Sequence, residues 1–372
     1  MINFNETYKS KLELKYLEEV TNGNYINNYF RKKSEEILIE KFKFDNILLT
    51  HSATAALEIA GMVLAKNKSI SKIHLPSYTF SSTANAFIRA GININFTDIN
   101  IDNLMIDFSK LKISKNDHVC IVHYAGSSVD FEKLETIENF NFNKLIEDAA
   151  QGLGTKFNNK QVGTFGRFGC ISFHPTKSIH SGFGGLLNIK NKEDLEMATY
   201  IYERGTDRSK VISGQKNKYE WVELGSSFEM TELSAAVLLS QLEEYDKISE
   251  LRKEIYKTYL LLLKTFLIEN NIKFQIFDNR IQHNYHAFYL ILNENSNAFL
   301  NYLNKNGIQA YIGYVPLHSS AYGIRNKLNK KLINTEKIAN TIIRLPLHTQ
   351  LKYKDVKKIS SCVKNYNFEN KN

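Results

Sequence analysis

A chain of 372 residues with 43% hydrophobic and 23% charged residues and only 4 prolines can bury a sizeable core in one large α/β unit or in two to three domains. That composition excludes a disulfide mini-scaffold and a disordered chain, because disorder needs low hydrophobicity or proline bias. The formal charge of +9 is spread along the sequence between acidic residues, which favours an anionic small molecule over nucleic acid as the partner.

The first ~40 residues read as polar helix, too short for a core of their own. From about 45 to 205 short apolar runs alternate with helical-period segments, the pattern of a mostly parallel sheet with crossover helices. Asn46 to Thr50 is the first strand, and Ala53, Ala56, Leu57, Ala60 and Leu64 recur at helical spacing behind it. Further strands are expected at 72–75, 92–98, 118–123, 144–147, 169–173 and 185–189. A long helix follows from Thr231 to Leu263, with Thr231 as N-cap and Glu232 in the first turn. The remainder reads as a small α+β unit. Its expected strands are Phe274 to Phe277, His286 to Leu292 and Ile308 to Tyr314, with helices at Asn297 to Asn306 and Lys354 to Lys364. The expected division is 1–245 for the N-terminal segment and large domain, and 246–372 for the bridging helix and small C-terminal domain.

The segment SFHPTKSIHSGFGG (172–185) places Lys177 just beyond a buried strand and before a glycine-rich turn. A lysine at such a strand end can be desolvated and act as an amine nucleophile, although on its own it also fits a surface loop. Asp148, in EDAAQG, ends another apolar run, and ligands of open parallel sheets sit outside those ends. A lysine and a carboxylate sharing one cavity suit pyridoxal 5'-phosphate, where the lysine forms the Schiff base and the carboxylate keeps the pyridine nitrogen protonated. HSATAALE (51–58) opens a helix after the first strand, so its backbone N–H groups and the Thr54 hydroxyl suit a phosphate; plain helix capping explains the same residues.

PSYTFSSTANAFIRAG (76–91), VHYAG (122–126), EDAAQG, GTFGRFGCISFHPTK (163–177) and SGFGG together resemble the sugar-nucleotide aminotransferases of the DegT/DnrJ/EryC1/StrS family. The resemblance spans nearly the whole chain. It implies the fold type I, aspartate aminotransferase-like α/β architecture, with a large domain built on a mostly parallel seven-stranded sheet and a small C-terminal α+β domain. It implies Lys177 as the Schiff-base lysine, Asp148 as the pyridine-nitrogen partner, Gln151 near the ring and Phe80 stacked on it. Thr54, Ala55 and Ser172 match phosphate contacts, and Ser227 matches a residue that reaches the cofactor of a neighbouring subunit in a homodimer with shared sites. His174 is expected to be a packed, hydrogen-bonded histidine.

Within that family the segment 201–236 is most similar to the branch that aminates C4 of dTDP-4-keto-6-deoxyglucose, with L-glutamate as donor. Arg204, Arg208, Lys210, Lys216 and Lys218, with Tyr219 and Trp221 beside them, are expected to meet the diphosphate and base, or to be a solvated loop. Tyr314, His318 and His286 are expected either near the sugar or packed within the small domain. The chain departs from its relatives at Ser227 and Glu229, where many have Asn and Arg, and at NGNYINNYF (22–30), where they carry a glycine-rich turn. Alternatives are a C3-aminating or UDP-sugar aminotransferase, a sugar dehydratase, against which Lys177 argues, and a cofactor-binding regulator without turnover. The longest apolar stretches are far short of the ~18 residues a bilayer span needs, and the N-terminus lacks the apolar run of a signal peptide. Cys120, Cys170 and Cys362 show no CxxC spacing. No metal and no membrane are expected, and the expected location is the cytoplasm.

Overall fold

The structure is a computed structural model that describes residues 1–25 and 27–368. Ile26, inside the divergent 22–30 stretch, and residues 369–372, at the end of the expected C-terminal unit, lie outside the described residues. The large sheet has seven strands: β1 (Asn46–Thr50), β2 (Ile73–Pro76), β3 (Ile94–Thr97), β4 (His118–Val122), β5 (Leu145–Asp148), β6 (Phe168–Ser172) and β7 (Gly185–Ile189). Their spatial order is β1-β7-β6-β5-β4-β2-β3. Only β7 opposes its neighbours, pairing antiparallel with β1 and β6, while the other pairings are parallel. Strands β4 to β7 are buried along their whole length, as central strands covered by helices on both faces must be, and they read as unbroken apolar runs for that reason.

The helix Ala53–Ala65 lies over this sheet and buries Ala55, Ala56, Leu57, Ile59, Ala60, Val63 and Leu64. Its small residues allow close approach. Gly185 makes that approach possible at one end, because a Cβ there would fall 2.4 Å from Ala53 N.

The expected single helix from Thr231 to Leu263 is two. Thr231 caps the first, Glu232–Glu243, by accepting from Ser234 N–H, and a second runs from Tyr245 to Glu269. The break falls at Glu244, whose carboxylate accepts from the Tyr8 hydroxyl at 2.8 Å, so the docked N-terminal segment reaches the corner. Beyond it, a three-stranded antiparallel sheet has Phe288–Ile291 in the centre, flanked by Lys273–Phe274 and Ile342–Leu345. The expected strand over 308–314 does not form. Among the described residues its strand-like pairing is limited to isolated bridges, Ile308 to Ile2 and Tyr311 to Arg344, and Gly313 lies so close to Tyr78 that a Cβ would sit 1.9 Å from its hydroxyl.

The small sheet faces two ways, as a two-residue period requires. Tyr289, Ile291 and Ile342 join the core of the large unit, whereas Phe288, Leu290, Ile343 and Leu345 join a separate core with Tyr256, Tyr259 and Leu263 of the long helix.

Candidate active site

A cavity of about 540 Å³ opens at the C-terminal ends of the parallel strands, between the large and small units. Ser52 to Thr54 enter it after β1, Thr79 and Phe80 after β2, and Val122 and His123 at the end of β4. Asp148 and Gln151 come from β5, and Ser172, His174, Thr176 and Lys177 from β6. His286, Tyr311, Tyr314 and Arg344 close it from the small unit, and Phe4 and Asn5 from the N-terminus.

Asp148 is the last residue of β5 and is buried. Its Oδ2 accepts from Thr83 Oγ1 at 2.6 Å and its Oδ1 from Ala150 N–H at 3.2 Å, which fixes the carboxylate plane. Burial nevertheless pushes its carboxyl above the usual range, because those hydrogen bonds and the Lys177 charge do not fully offset desolvation. Lys177 stands in the loop after β6. Phe173 N–H donates to Gly184 O and Ser181 N–H to Phe173 O, so the loop is closed at its base and its lysine is held over the strand ends. Desolvation pulls the Lys177 amine down to about 8; Asp148 opposes the shift and Arg344 adds to it. The pair is a desolvated lysine that gives up its proton more readily than an exposed one and a carboxylate with little solvent.

Another part of the lining is rich in hydroxyls and backbone donors. Ser52 Oγ accepts from Ala55 N–H at 3.1 Å and so caps the helix, leaving the first backbone N–H groups at Ala53 and Thr54 directed beyond the helix end. Thr54 Oγ1 and Ser82 Oγ are 2.7 Å apart, and Ser172 Oγ accepts from His174 N–H at 3.3 Å. A helix N-terminus with hydroxyls and no carboxylate among them suits a phosphate. Phe80 offers an uncovered ring, 60% exposed, at the cavity edge. Gln151 accepts from Ala125 N–H at 2.7 Å and donates to Tyr314 OH at 3.1 Å, so it ties the large unit to the small one.

Lys177, Asp148, Thr54, Phe80, Gln151, Ser172 and Tyr314 therefore share one cavity, and Ala55, in the first turn of its helix, stands just behind Thr54 and is not among the lining residues. His286 lines it too, with its imidazole held well below the ordinary histidine range by burial and by Lys177. His174 is held by Thr176, with Nδ1 and Oγ1 2.9 Å apart. His318 does not reach the cavity: it is buried, with Nδ1 2.7 Å from Ser77 Oγ and Nε2 3.2 Å from Glu336 Oε1, and both ring nitrogens are engaged. It fastens the small unit to the loop after β2, so its expected contact with substrate is corrected to a structural one.

The 204–227 residues also stand outside this chain's cavity. Arg204 pairs with Glu229 at 2.7 Å and donates to Ser227 Oγ at 3.0 Å. Lys210 pairs with Glu196 at 2.8 Å, and Lys216 with Asp207 and Glu220. Arg208, Tyr219 and Trp221 are exposed, Trp221 by 79%. Thr83 and Arg344 are among the residues of the site that were not anticipated. Thr83 is the polar residue on the buried face of the helix Ser81–Arg89, a signal available in SSTANA. Arg344 interrupts the apolar run IIRLPL, in a strand the sequence analysis did not expect. Among the described residues no cluster of His, Cys, Asp or Glu could hold a metal ion, and no helix is long and apolar enough to cross a membrane.

The sequence model of the DegT/DnrJ/EryC1/StrS aminotransferase family matches residues 7–364. The UDP-4-amino-4,6-dideoxy-N-acetyl-beta-L-altrosamine transaminase of Campylobacter jejuni is 26% identical over 350 residues, covering 91% of this chain and 89% of its own. The GDP-perosamine synthase of Vibrio cholerae is 25% identical over 373 residues, covering 95% and 96%. A sugar aminotransferase from Micromonospora echinospora has the same fold, with a TM-score of 0.86 at 18% identity over 98% of this chain and 99% of its own.

Proposed function

The chain belongs to the DegT/DnrJ/EryC1/StrS aminotransferase family, and we propose that it moves the amino group of L-glutamate to C4 of dTDP-4-keto-6-deoxyglucose, giving dTDP-4-amino-4,6-dideoxygalactose for surface glycan synthesis. Family membership carries the fold type I architecture, the pyridoxal 5'-phosphate cofactor and amine transfer to a nucleotide-linked keto sugar. The observation that carries the reading is the juxtaposition of a desolvated Lys177 and a buried Asp148 in one cavity at the strand ends.

The residues fit the cofactor on their own chemistry: a donor-lined end for a phosphate, an uncovered ring, a buried carboxylate and an amine. When bound, pyridoxal phosphate supplies a carbonyl that condenses with amines and a ring that accepts carbanion charge. Ser52 to Thr54 and Ser172 would hold the phosphate, Phe80 would cover the ring, and Asp148 would keep a proton on the ring nitrogen. The Lys177 amine removes the Cα proton of glutamate and later returns a proton to the sugar carbon. Because Lys177 approaches from one side, its position decides the configuration of the new amine.

The dTDP-4-keto sugar rests on the likeness of 201–236 at GTDRS, GQ, KY, W and GSS. The UDP and GDP names of the two relatives favour a second reading, in which the nucleotide differs and the chemistry does not. Product NMR after incubation with glutamate and a panel of keto sugar nucleotides decides between them. An axial amine at C4 of the dTDP sugar is expected; an amine at C3, an equatorial amine, or preference for a UDP sugar refutes the assignment.

We further propose a homodimer with shared sites, formed around the 204–227 loop. It projects Ile212, Trp221 and Leu224, exposed by 71%, 79% and 67%, beside Arg204 and Arg208, an apolar patch that a second copy would cover. Mixing Lys177→Ala with a chain obstructed by Ser227→Trp, each inactive alone, should restore about one quarter of wild-type activity, since random pairing leaves one intact site in half the dimers. Inactive verified mixed dimers, or a monomer by sedimentation, would remove the proposal.

A further inference from the structure

We infer that the molecule has a second, non-catalytic binding site: a lysine-lined pocket at the end of the large sheet away from the catalytic cavity, which takes the phosphoryl groups of a small anion. The pocket shares no lining residue with that cavity, so its ligand is independent of the aminotransferase reading.

A pocket of about 230 Å³ lies where β1 begins and β7 ends, beside the paired Asn46 and Ile189. β1 runs from there toward Ser52 and the catalytic cavity, so the two sites stand at opposite ends of the sheet. The volume is below the roughly 300–1,000 Å³ of pockets that enclose a whole drug-sized ligand, and it suits a phosphate or diphosphate group rather than an entire sugar nucleotide. Its lining carries five lysines, Lys41, Lys43, Lys156, Lys160 and Lys190, against one carboxylate, Asp45. The chain as a whole has 48 basic to 39 acidic residues, so this imbalance is local.

Two of these lysines have another explanation. The helix Tyr29–Phe42 ends at the pocket, and cations beside its last carbonyls are favourable; Lys41 is also paired with Asp246 at 2.6 Å. The other three come from elsewhere in the chain. Lys156 and Lys160 lie on the two arms of a short hairpin, Lys156 opposite Gln161 and Lys160 opposite Phe157. Asn158 and Asn159 form its turn with φ of 47° and 63°, the left-handed pair that a tight two-residue hairpin needs. Lys190 follows β7 directly. Hairpin and strand end thus converge on one concavity, with Asn159 as a further amide donor in the lining.

Their charges are not balanced from within the protein. Asp45 reaches Lys190 only at 3.9 Å, and Lys190 Nζ donates to Thr164 O at 3.3 Å. Among the described residues no carboxylate lies within 4.0 Å of Lys156 or Lys160. Lys160 Nζ instead stands 4.4 Å from the centroid of the Phe165 ring, which fixes its direction. Partial burial pulls the Lys160 amine below the ordinary lysine range and the Lys190 charge adds to the shift, while Glu147 and Asp45 oppose it. Lysines on a solvated face spread apart, whereas these two ammonium groups are held where they repel each other. An oxyanion between them reverses the sign, because each ammonium donates a charge-assisted hydrogen bond to it.

Two measurements test this. Calorimetry on the cofactor-loaded protein takes pyrophosphate as the probe at about 0.15 M salt, where exposed charges more than ~8 Å apart are largely screened. The wild type should bind it; Lys160→Gln and Lys190→Gln should each weaken binding by about 10-fold or more, and Lys160→Glu should abolish it. The visible absorbance of the bound cofactor should be the same in all four proteins. Absence of binding to the wild type overturns the inference, as does an affinity that the substitutions leave unchanged, which would place the anion in the catalytic cavity. Trace acetylation with peptide mapping locates the ligand without any variant. Pyrophosphate should protect Lys160 and Lys190 while the exposed Lys68 and Lys264 keep their reactivity; equal protection of all four, or of none, overturns the inference. A nucleoside diphosphate in place of pyrophosphate separates the sources of the anion: binding that also depends on Lys160 assigns the pocket to phosphoryl groups carried by a nucleotide, and dependence for pyrophosphate alone assigns it to the free anion.

Discussion

Lys177→Ala should abolish amine transfer, by at least about 10⁴-fold, with the fold intact. The side chain enters no hydrogen bond that holds the loop; closure at Phe173 and Gly184 is made by backbone, and the Lys177 N–H bond to His174 O survives the substitution. Borohydride reduction of the cofactor-loaded wild type followed by peptide mapping should place the pyridoxyl label on Lys177, and a label on Lys156, Lys160 or Lys190 would refute the assignment. Stability gives a second readout on the cofactor-free protein. The folded amine titrates near 8 and the unfolded one near ~10.4, so between those values the unfolded chain binds more protons and stability rises with pH. Below about 8 the whole penalty of burying the ammonium is present. Lys177→Ala removes that penalty, and its Tm at pH 7 should equal or exceed that of the wild type. A large drop in Tm would show that the lysine holds the loop rather than serving the chemistry.

The large sheet was legible because central strands declare themselves. β4 to β7 are buried on both faces, and a short unbroken apolar run bounded by polar loops has few other solutions. The small unit was less so. The strand Ile342–Leu345 carries an arginine in its middle, and it follows directly on the helix Ile333–Thr341 with no glycine or proline between them to mark the change. The 308–314 segment has the composition of a strand, yet it pairs at isolated bridges, Ile308 to Ile2 and Tyr311 to Arg344, and packs Gly313 tightly on Tyr78, contacts that no local pattern announces. The break at Glu244 was hidden for a similar reason: nothing local stops the helical pattern, and the partner at the corner is Tyr8, at the opposite end of the sequence.

The site divided along the same line. Lys177 and Asp148 were readable because each follows a strand whose end must face the cavity, so local pattern settled their side of the sheet. Tyr314 and His318 lie in one short motif, yet the structure sends the first to Gln151 and the second to Ser77 and Glu336. Spacing could not separate them, because the segment is irregular and has no period to assign faces. Arg344 was missed because it interrupts a strand that local pattern did not reveal, and its place at the cavity is a property of tertiary packing alone.

Asp148→Asn should keep the cofactor and lose on the order of 10²- to 10³-fold in kcat, the scale of removing one well-placed electrostatic partner from a dry site. The amide occupies the same space and can still accept from Thr83 or Ala150, so the strand end is preserved. It cannot keep a proton on the ring nitrogen, because it carries no negative charge to favour the protonated form. Asp148→Ala is the harsher change. It leaves the Thr83 hydroxyl without its buried acceptor at a cost of about 1–3 kcal/mol, so loss of activity there would mix unfolding with chemistry. The sign of the Asp148 shift supplies a test that does not depend on turnover. Its folded carboxyl titrates above the unfolded one, so the stability it contributes is present at low pH and lost as pH rises through the folded value. At pH 7 the cofactor-free wild type therefore carries an unfavourable buried charge that Asp148→Asn lacks. A protonated ring nitrogen offsets that charge only in the wild type, so pyridoxal phosphate should raise Tm more in the wild type than in the variant. Equal increments in the two proteins would mean that Asp148 does not meet the ring.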